Sequence, residues 1–397
     1  MVLVVSILLS LCSTSYAVAI VVNSTADVVA DDGQCTLREA LTTANTDTPS
    51  GSTAGECAAG MGDDVIDLTA IRGTIHLTGA LPDITDDVTL WGPGAGRLSV
   101  RRGSGGNYRI LTIESRATVA LSGLGLSNGR LGDGFGAGVL NAGTLALEGC
   151  TISGNSTHPS TVLGGHGGGI YNSGSLTLVN SRVADNSISS TSNDSYGGGI
   201  YSTGWLTVAH SIVRDNWTSG RGCDSGGIRN QGTLWMVSST VSGNRSARDA
   251  GGIHTVGSGT LATVIDSTVS GNRTSGSGSG GGIWNSNGAV LTMTNSTVSG
   301  NAAANNGGGI NNTGNGVLAL NNSTIADNAA GGRGGGLWND RGSQVFSKNS
   351  ILAGNLAANS PDCHNAATLL SSDYNLVGDS TGCPFTAQSH DQLDVDA

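Results

Sequence analysis

Two aspartates, Asp185 and Asp215, stand immediately before asparagines Asn186 and Asn216 in consecutive copies of one repeating pattern. If those copies lie side by side as strands about 4.8 Å apart, the two carboxylates could do either of two kinds of chemistry. They could serve as the carboxylate pair of a retaining glycosidase, or as ligands to a hard cation such as calcium. The same position in other copies is Gly154, Gly243, Gly271, Gly300 and Gly354, with Asp327 in one more. Turns accept both glycine and aspartate, so a turn is the stronger expectation for this row. Arg214, Asp215, Arg221 and Asp224 are neighbours in sequence, and a lyase would need such a base close to acidic cation ligands. Linker charges usually face water, and that is the expectation here. A further row reads Leu140, Tyr171, Tyr201, Arg229, His254, Trp284, Asn311 and Trp338. Flat rings set among hydrogen-bonding side chains are what a sugar-binding strip uses. Tyr171, Tyr201, Arg229, His254, Trp284 and Trp338 are therefore the candidate glycan contacts, with cross-strand stacking on a wet face as the alternative. No catalytic residue and no cofactor are assigned, calcium being the one cation considered.

What would position these rows is a repeat. A Gly-Gly-apolar signature ends at Ile170, Ile200, Ile228, Ile253, Ile283, Ile310 and Leu337, and Gly138-Val139 opens the series. An asparagine follows each 16 to 19 residues later: Asn155, Asn186, Asn216, Asn244, Asn272, Asn301, Asn328 and Asn355. Ten and eight positions before it stand apolar rows, Leu145 and Leu147 in one copy, Leu176 and Leu178 in the next. Spacing by two is strand spacing, so both rows share a face. Three positions before it stands another apolar row, from Ile152 to Leu352. Each copy thus carries about three short strands, and only stacking can bury their apolar faces. The row five before the asparagine is serine in seven copies and Cys150 in the eighth. The asparagine suits a tight turn, and stacked asparagines can form a ladder; glycosylation of those in sequons is the lesser reading. Residues 64–128 read as three less regular copies. Ahead of them, Thr36-Leu37-Arg38-Glu39 is a capping box, and Leu37, Ala40, Leu41 and Ala44 have helical spacing. The expected architecture is all-β, a single right-handed parallel β-helix with a short N-terminal capping helix.

Composition narrows the function. The 397 residues include 65 glycines, with 12% charged and 4% aromatic, and the net charge is -11. An acidic chain disfavours nucleic acid and anionic membranes as partners. The run from Val2 to Leu11, followed by Ser15-Tyr16-Ala17, reads as a signal peptide over 1–17, and no later stretch is apolar enough to span a membrane. Six cysteines then remain in an oxidising setting. Cys35 with Cys57 and Cys363 with Cys383 are the economical pairs, each worth about 3 kcal/mol in the chain-entropy model. Cys150 and Cys223 are expected to stay unpaired with each other, because more than two coils separate them.

Cys35-Thr36-Leu37-Arg38-Glu39-Ala40 with Ala44-Asn45 resembles the CSLREA domain of bacterial surface β-helix proteins, with Thr36 in place of its usual serine. Asn349-Ser350-Ile351-Leu352, Asp362-Cys363, Asp373-Tyr374-Asn375-Leu376 and Gly382-Cys383 resemble the choice-of-anchor Q region of such proteins. Similar regions normally continue further than Ala397, so a truncated anchor is expected. The repeats resemble those of pectate-lyase-like solenoids and chlamydial polymorphic outer-membrane proteins. Gly165-His166-Gly167 is similar to a tripeptide of polygalacturonases, without its companion motifs, and a linker histidine is expected. These resemblances imply a signal peptide at 1–17, a cap at 18–63, the β-helix at 64–355 and a C-terminal cap at 356–397. They imply fold and export and say little of activity; without a clustered acid, base or cation site, the expected function is that of a monomeric, non-enzymatic protein presenting an elongated face for adhesion or for contact with polysaccharide or cell-surface glycan. The alternative is a carbohydrate-active enzyme, a polysaccharide lyase or glycoside hydrolase.

Overall fold

Alternation at period two places Leu145 and Leu147 on one side of the strand Thr144–Glu148, and both are 1% exposed. The next coil repeats this at Leu176 and Leu178, and the register pairs Leu145 with Leu176 and Leu147 with Leu178. The computed structural model describes residues 19–161, 164–191, 194–220 and 222–395. The apolar leader over 1–17 and Arg221 lie outside the described residues. Stacking of this kind recurs along the chain to give a parallel β-solenoid. Its first sheet has 13 strands and runs from Ala19–Val21 through Thr144–Glu148 to Thr368–Ser371. A second sheet, also of 13 strands, contains Thr151–Ser153, and a third, of ten strands, contains Val139–Asn141. All eight repeats and the three less regular copies before them contribute to the first sheet.

Two further sheets go beyond the three strands per coil expected from the sequence. A fourth sheet of nine strands contains Ser156–Thr157. A cover sheet of four short strands, Gly134–Phe135, Gly165–His166, Ser195–Tyr196 and Cys223–Asp224, occupies the linkers of four coils. The cover-sheet segments read as Gly/Ser-rich linker because two-residue strands carry no periodicity of their own; their pairing exists only once the coils are stacked.

The asparagine column is a complete hydrogen-bonded ladder. Asn186 donates through Nδ2 to the Ile152 carbonyl at 3.0 Å and to Asn216 Oδ1 at 2.9 Å. Its own Oδ1 accepts from Asn155 N at 3.0 Å and Asn155 Nδ2 at 2.9 Å. Two donors and two acceptor sites are thus all used, at a residue that is 0% exposed. The pattern repeats through Asn216, Asn244, Asn272, Asn301 and Asn328. Asp362 then takes the next place, accepting from Asn355 N and Nδ2 at 2.9 and 2.8 Å. The left-handed turn expected of these asparagines falls instead one residue earlier, at Asp185 (φ 58), Asp215 (φ 53) and the glycines of that row. The second glycine of the Gly-Gly signature is explained by the ladder. A Cβ built on Gly169 would lie 2.9 Å from the Asn186 side chain. The serine row forms a parallel ladder, in which Ser211 Oγ accepts from Ser181 N and Ser239 Oγ from Ser211 N, each at 3.0 Å. Cys150 joins it, donating its N–H to Ser181 Oγ at 3.1 Å.

The helix α1, Leu37–Thr46, closes the N-terminal end with the capping box in place. Every residue of the motif has a structural task. Cys35 is bonded to Cys57, and Leu37 and Ala40 are buried. Arg38 grips Asp27 through two 2.9 Å bonds and donates to the Gly79 and Ala80 carbonyls. Glu39 accepts from Thr36 N and Ala30 N, both at 2.9 Å. At the other end Cys363 is bonded to Cys383, while Cys150 and Cys223 are free and buried. Burial pushes both free thiols up to about 11. Among the described residues, no helix is long and apolar enough to cross a membrane.

Replacing one rung tests the ladder. Asn244→Ala strands Asn216 N, Asn216 Nδ2 and the Val213 carbonyl, all buried. Each buried group left unpaired costs about 1–3 kcal/mol. The expected result in thermal denaturation is a large drop in Tm, whereas Asn321→Ala on the outer face should stay within about 0.5 kcal/mol of the parent.

Candidate functional site

The predicted row does form one register-locked column on the third sheet. Tyr171 pairs with Tyr201, Tyr201 with Arg229, Arg229 with His254, and His254 with Trp284; Asn311 separates Trp284 from Trp338. Its exposure differs from expectation. Tyr201, Arg229 and His254 are 7%, 7% and 2% exposed, so the middle of the column is no outward strip. The cover sheet accounts for part of this. Phe135 lies on Tyr171 at 4.9 Å, His166 on Tyr201 at 4.8 Å, and Tyr196 receives the Arg229 guanidinium at 4.0 Å. His166 also stacks between Phe135 and Tyr196, 5.1 Å from each. Burial and Arg229 hold its imidazole down at about 4, which fits a packed linker histidine.

Trp284, Trp338 and Tyr171 remain half-buried. The column rings pile on one another, His254 on Trp284 at 4.2 Å and Trp338 on His364 at 4.3 Å. Each such stack takes one face of the ring and leaves the rest of Trp284 and Trp338 half-buried.

Where the cover sheet ends, the column turns ionic. Arg229 Nη1 lies 2.9 Å from His254 Nδ1 and 3.7 Å from Asp224 Oδ2. A guanidinium only donates, so Nδ1 of His254 accepts and Nε2 carries the proton, directed to Ser286 Oγ at 3.0 Å. Burial and Arg229 keep His254 well below its usual range. Asp249 adds a second carboxylate, bound to Ser279 N at 2.7 Å and to Arg248 at 3.1 Å. Burial and the Asp249 charge raise the Asp224 carboxyl to about 6. Perturbed carboxylates beside an arginine and a histidine are a common mark of functional sites. Here Asp224, Arg229, His254 and Asp249 are each at most 8% exposed; Arg229 meets His254 and Asp224, Asp249 meets Ser279 N and Arg248, and Arg229 Nε is left buried without a partner. The cluster ties the cover sheet to the third sheet.

The other residues singled out from the sequence are placed apart. Asp185 and Asp215 are exposed in their turns, each paired with an arginine nearby in sequence, Arg182 at 3.2 Å and Arg214 at 3.3 Å. Asp224 turns instead towards Arg229. No group of three or more His, Cys, Asp or Glu side chains among the described residues is placed to hold a metal ion. Asn155, Asn216, Asn244 and Asn272 are 0% exposed in the ladder, which closes their sequons to glycosylation in the folded chain.

A more open aromatic surface lies on the outer face of the first sheet. Trp205 and Trp235 are 67% and 44% exposed. They sit on adjacent strands, Trp205 paired with Thr233 and Trp235 with Thr207. About 4.8 Å across the strands and about 6.6 Å along them place the two Cβ atoms roughly 8 Å apart. Thr207, Thr233 and Thr263 add hydroxyl groups around them, and Leu261, 47% exposed, extends the apolar area. The signal for this face was in the sequence. Trp205 directly precedes the inward Leu206, and Trp235 stands between inward Leu234 and Met236, so both must point out. No family model matches this chain, and no curated protein matches it significantly.

The ionic cluster predicts a pH-dependent variant. A carboxyl raised to about 6 in the folded chain contributes stability that is full below its ordinary value of 3.8 and is lost as pH rises through about 6. Arg229→Met leaves Asp224 without its guanidinium, and breaking a buried pair costs about 3–5 kcal/mol. The variant should lose more Tm, relative to the parent, at pH 8 than at pH 5. Equal deficits at both pH values would show that Asp224 is not governed by Arg229.

Proposed function

We propose that this chain is an exported surface or extracellular solenoid that acts by adhesion, holding uncharged polysaccharide on the outer face of its first sheet. The observation that carries this reading is the pair Trp205 and Trp235, exposed on adjacent register-locked strands and ringed by threonine hydroxyls. An aromatic face takes the C–H side of a sugar ring while nearby hydroxyls meet its rim. Several weak contacts along a rigid face then add through multivalency, without a deep pocket. The half-buried edges of Trp284 and Trp338 are secondary contacts in this reading. Two disulfides and the apolar stretch at 1–17 support export. Adhesion is favoured over catalysis because Asp185, Asp215 and His166 are each engaged in turns, ion pairs or ring stacks.

The test is a pull-down of the mature protein on insoluble polysaccharides, with reducing-sugar release followed in the same tubes. Trp205→Ala/Trp235→Ala should lose at least about tenfold in retention, about 1.4 kcal/mol, with Tm nearly unmoved because both rings are exposed. Loss in Trp284→Ala/Trp338→Ala alone would move the contact to the third sheet. Full retention by both double variants, or sugar release by the parent, would contradict the reading.

A further inference from the structure

A groove at the C-terminal end of the second sheet lies apart from the tryptophan face. It is an open groove of about 440 Å³, and Asn322, Asn349, Tyr374, His390 and Gln392 line it together with the exposed Ile351. One wall is an outer amide row. Asn349 Nδ2 donates to Asn322 Oδ1 at 2.7 Å, Asn322 to Asn295 at 3.2 Å, and Asn295 to the Asp266 carboxylate at 3.2 Å. Every bond in this row runs the same way, which leaves the Asn349 carbonyl oxygen at its free end, beside the groove.

Tyr374 forms the opposite wall. It is 57% exposed, and its ring stacks on His390 at 4.5 Å with 3° between the planes. The backbone beneath it is strained. Asp373 (φ 78) and Tyr374 (φ 61) are the one pair of consecutive non-glycine residues in the left-handed region among the described residues. Such conformations persist only where neighbouring structure enforces them, and they gather at binding sites. Here the Asp373 carboxylate does the enforcing. It accepts from His390 N at 2.8 Å, Tyr374 N at 3.1 Å and His390 Nδ1 at 2.7 Å. The core gains little from a ring so exposed, so the corner serves to present that ring.

We propose that this groove binds one or two residues of a neutral sugar chain. The site offers an aromatic ring, side-chain amides from Asn322, Asn349 and Gln392, and the Thr324 hydroxyl. Amides donate and accept equally well, which matches the mixed hydrogen bonding of sugar hydroxyls. Among the described residues, no Lys, Arg, Asp or Glu lines the groove, and His390 is already committed to Asp373. A phosphate or uronate would therefore find no free cation, and a purely apolar ligand would strand the amides. Trp205 and Trp235 contribute nothing to this site, so it stands or falls separately from the platform.

The experiment is isothermal titration of the mature chain carrying Trp205→Ala/Trp235→Ala, so that the outcome on the platform does not enter. The probes are cellohexaose, xylohexaose, mannohexaose, maltohexaose and chitohexaose, with hexagalacturonate as the anionic comparison. At least one neutral hexasaccharide should bind, and adding Tyr374→Ala or Gln392→Ala should weaken it by about tenfold or more with Tm unchanged. Three results overturn the inference: no neutral probe binds, binding is indifferent to both groove substitutions, or hexagalacturonate binds in preference and depends on Tyr374.

Discussion

Register is the constraint on which everything else depends, and buried side-chain amides enforce it. A strand slipped by one residue would carry an outward side chain into the core. It would also break the contact of each asparagine with the coils before and after it. An amide such as Asn186, with both donors and both acceptor sites used inside the core, tolerates no intermediate placement. The Gly-Gly signature follows from this, since a side chain at Gly169 would collide with Asn186. Varied linkers also become tolerable, because the coil is locked at its asparagine however many residues precede the next signature.

Once coils are locked, any residue type repeated at one position becomes a column, and the surroundings of the column decide what it does. On the third sheet the rings lie within stacking distance of their neighbours in the column and of the cover sheet, so much of their surface is used internally. Arg229 continues that stack as a cation over Tyr196 and then joins Asp224 and His254. On the first sheet no described residue forms a cover sheet over Trp205 and Trp235, and their exposure of 67% and 44% leaves ring surface for a ligand. The same device, a register-locked row, thus stiffens one face and equips another.

Much of this was legible in the sequence. The inward rows, the coils, the capping box of α1 and both disulfide pairs follow from period, capping chemistry and cysteine spacing. The serine row containing Cys150 was equally plain. Other features depend on contacts that no local pattern announces. Arg38 is tied to Asp27, eleven positions away, and to carbonyls of Gly79 and Ala80 in the first coils. The cover strands are two residues long, too short for alternation to show. Burial of Tyr201, Arg229 and His254 therefore could not be read from their own row, although the outward direction of Trp205 and Trp235 could. Tyr374 and His390 meet only because the chain returns along the second sheet after Cys383, a path set by tertiary packing.

Hydrogen–deuterium exchange, followed by mass spectrometry along the mature chain, tests the ladder as the source of register most directly. The peptides holding Asn186, Asn216, Asn244, Asn272, Asn301 and Asn328 should contain the slowest amides, because each backbone N–H is held by the next rung at about 3 Å and opens only with its whole coil. If those amides exchange as fast as those of the exposed linkers, while the apolar strands stay protected, the register is set by hydrophobic packing alone and the ladder is only a consequence of it.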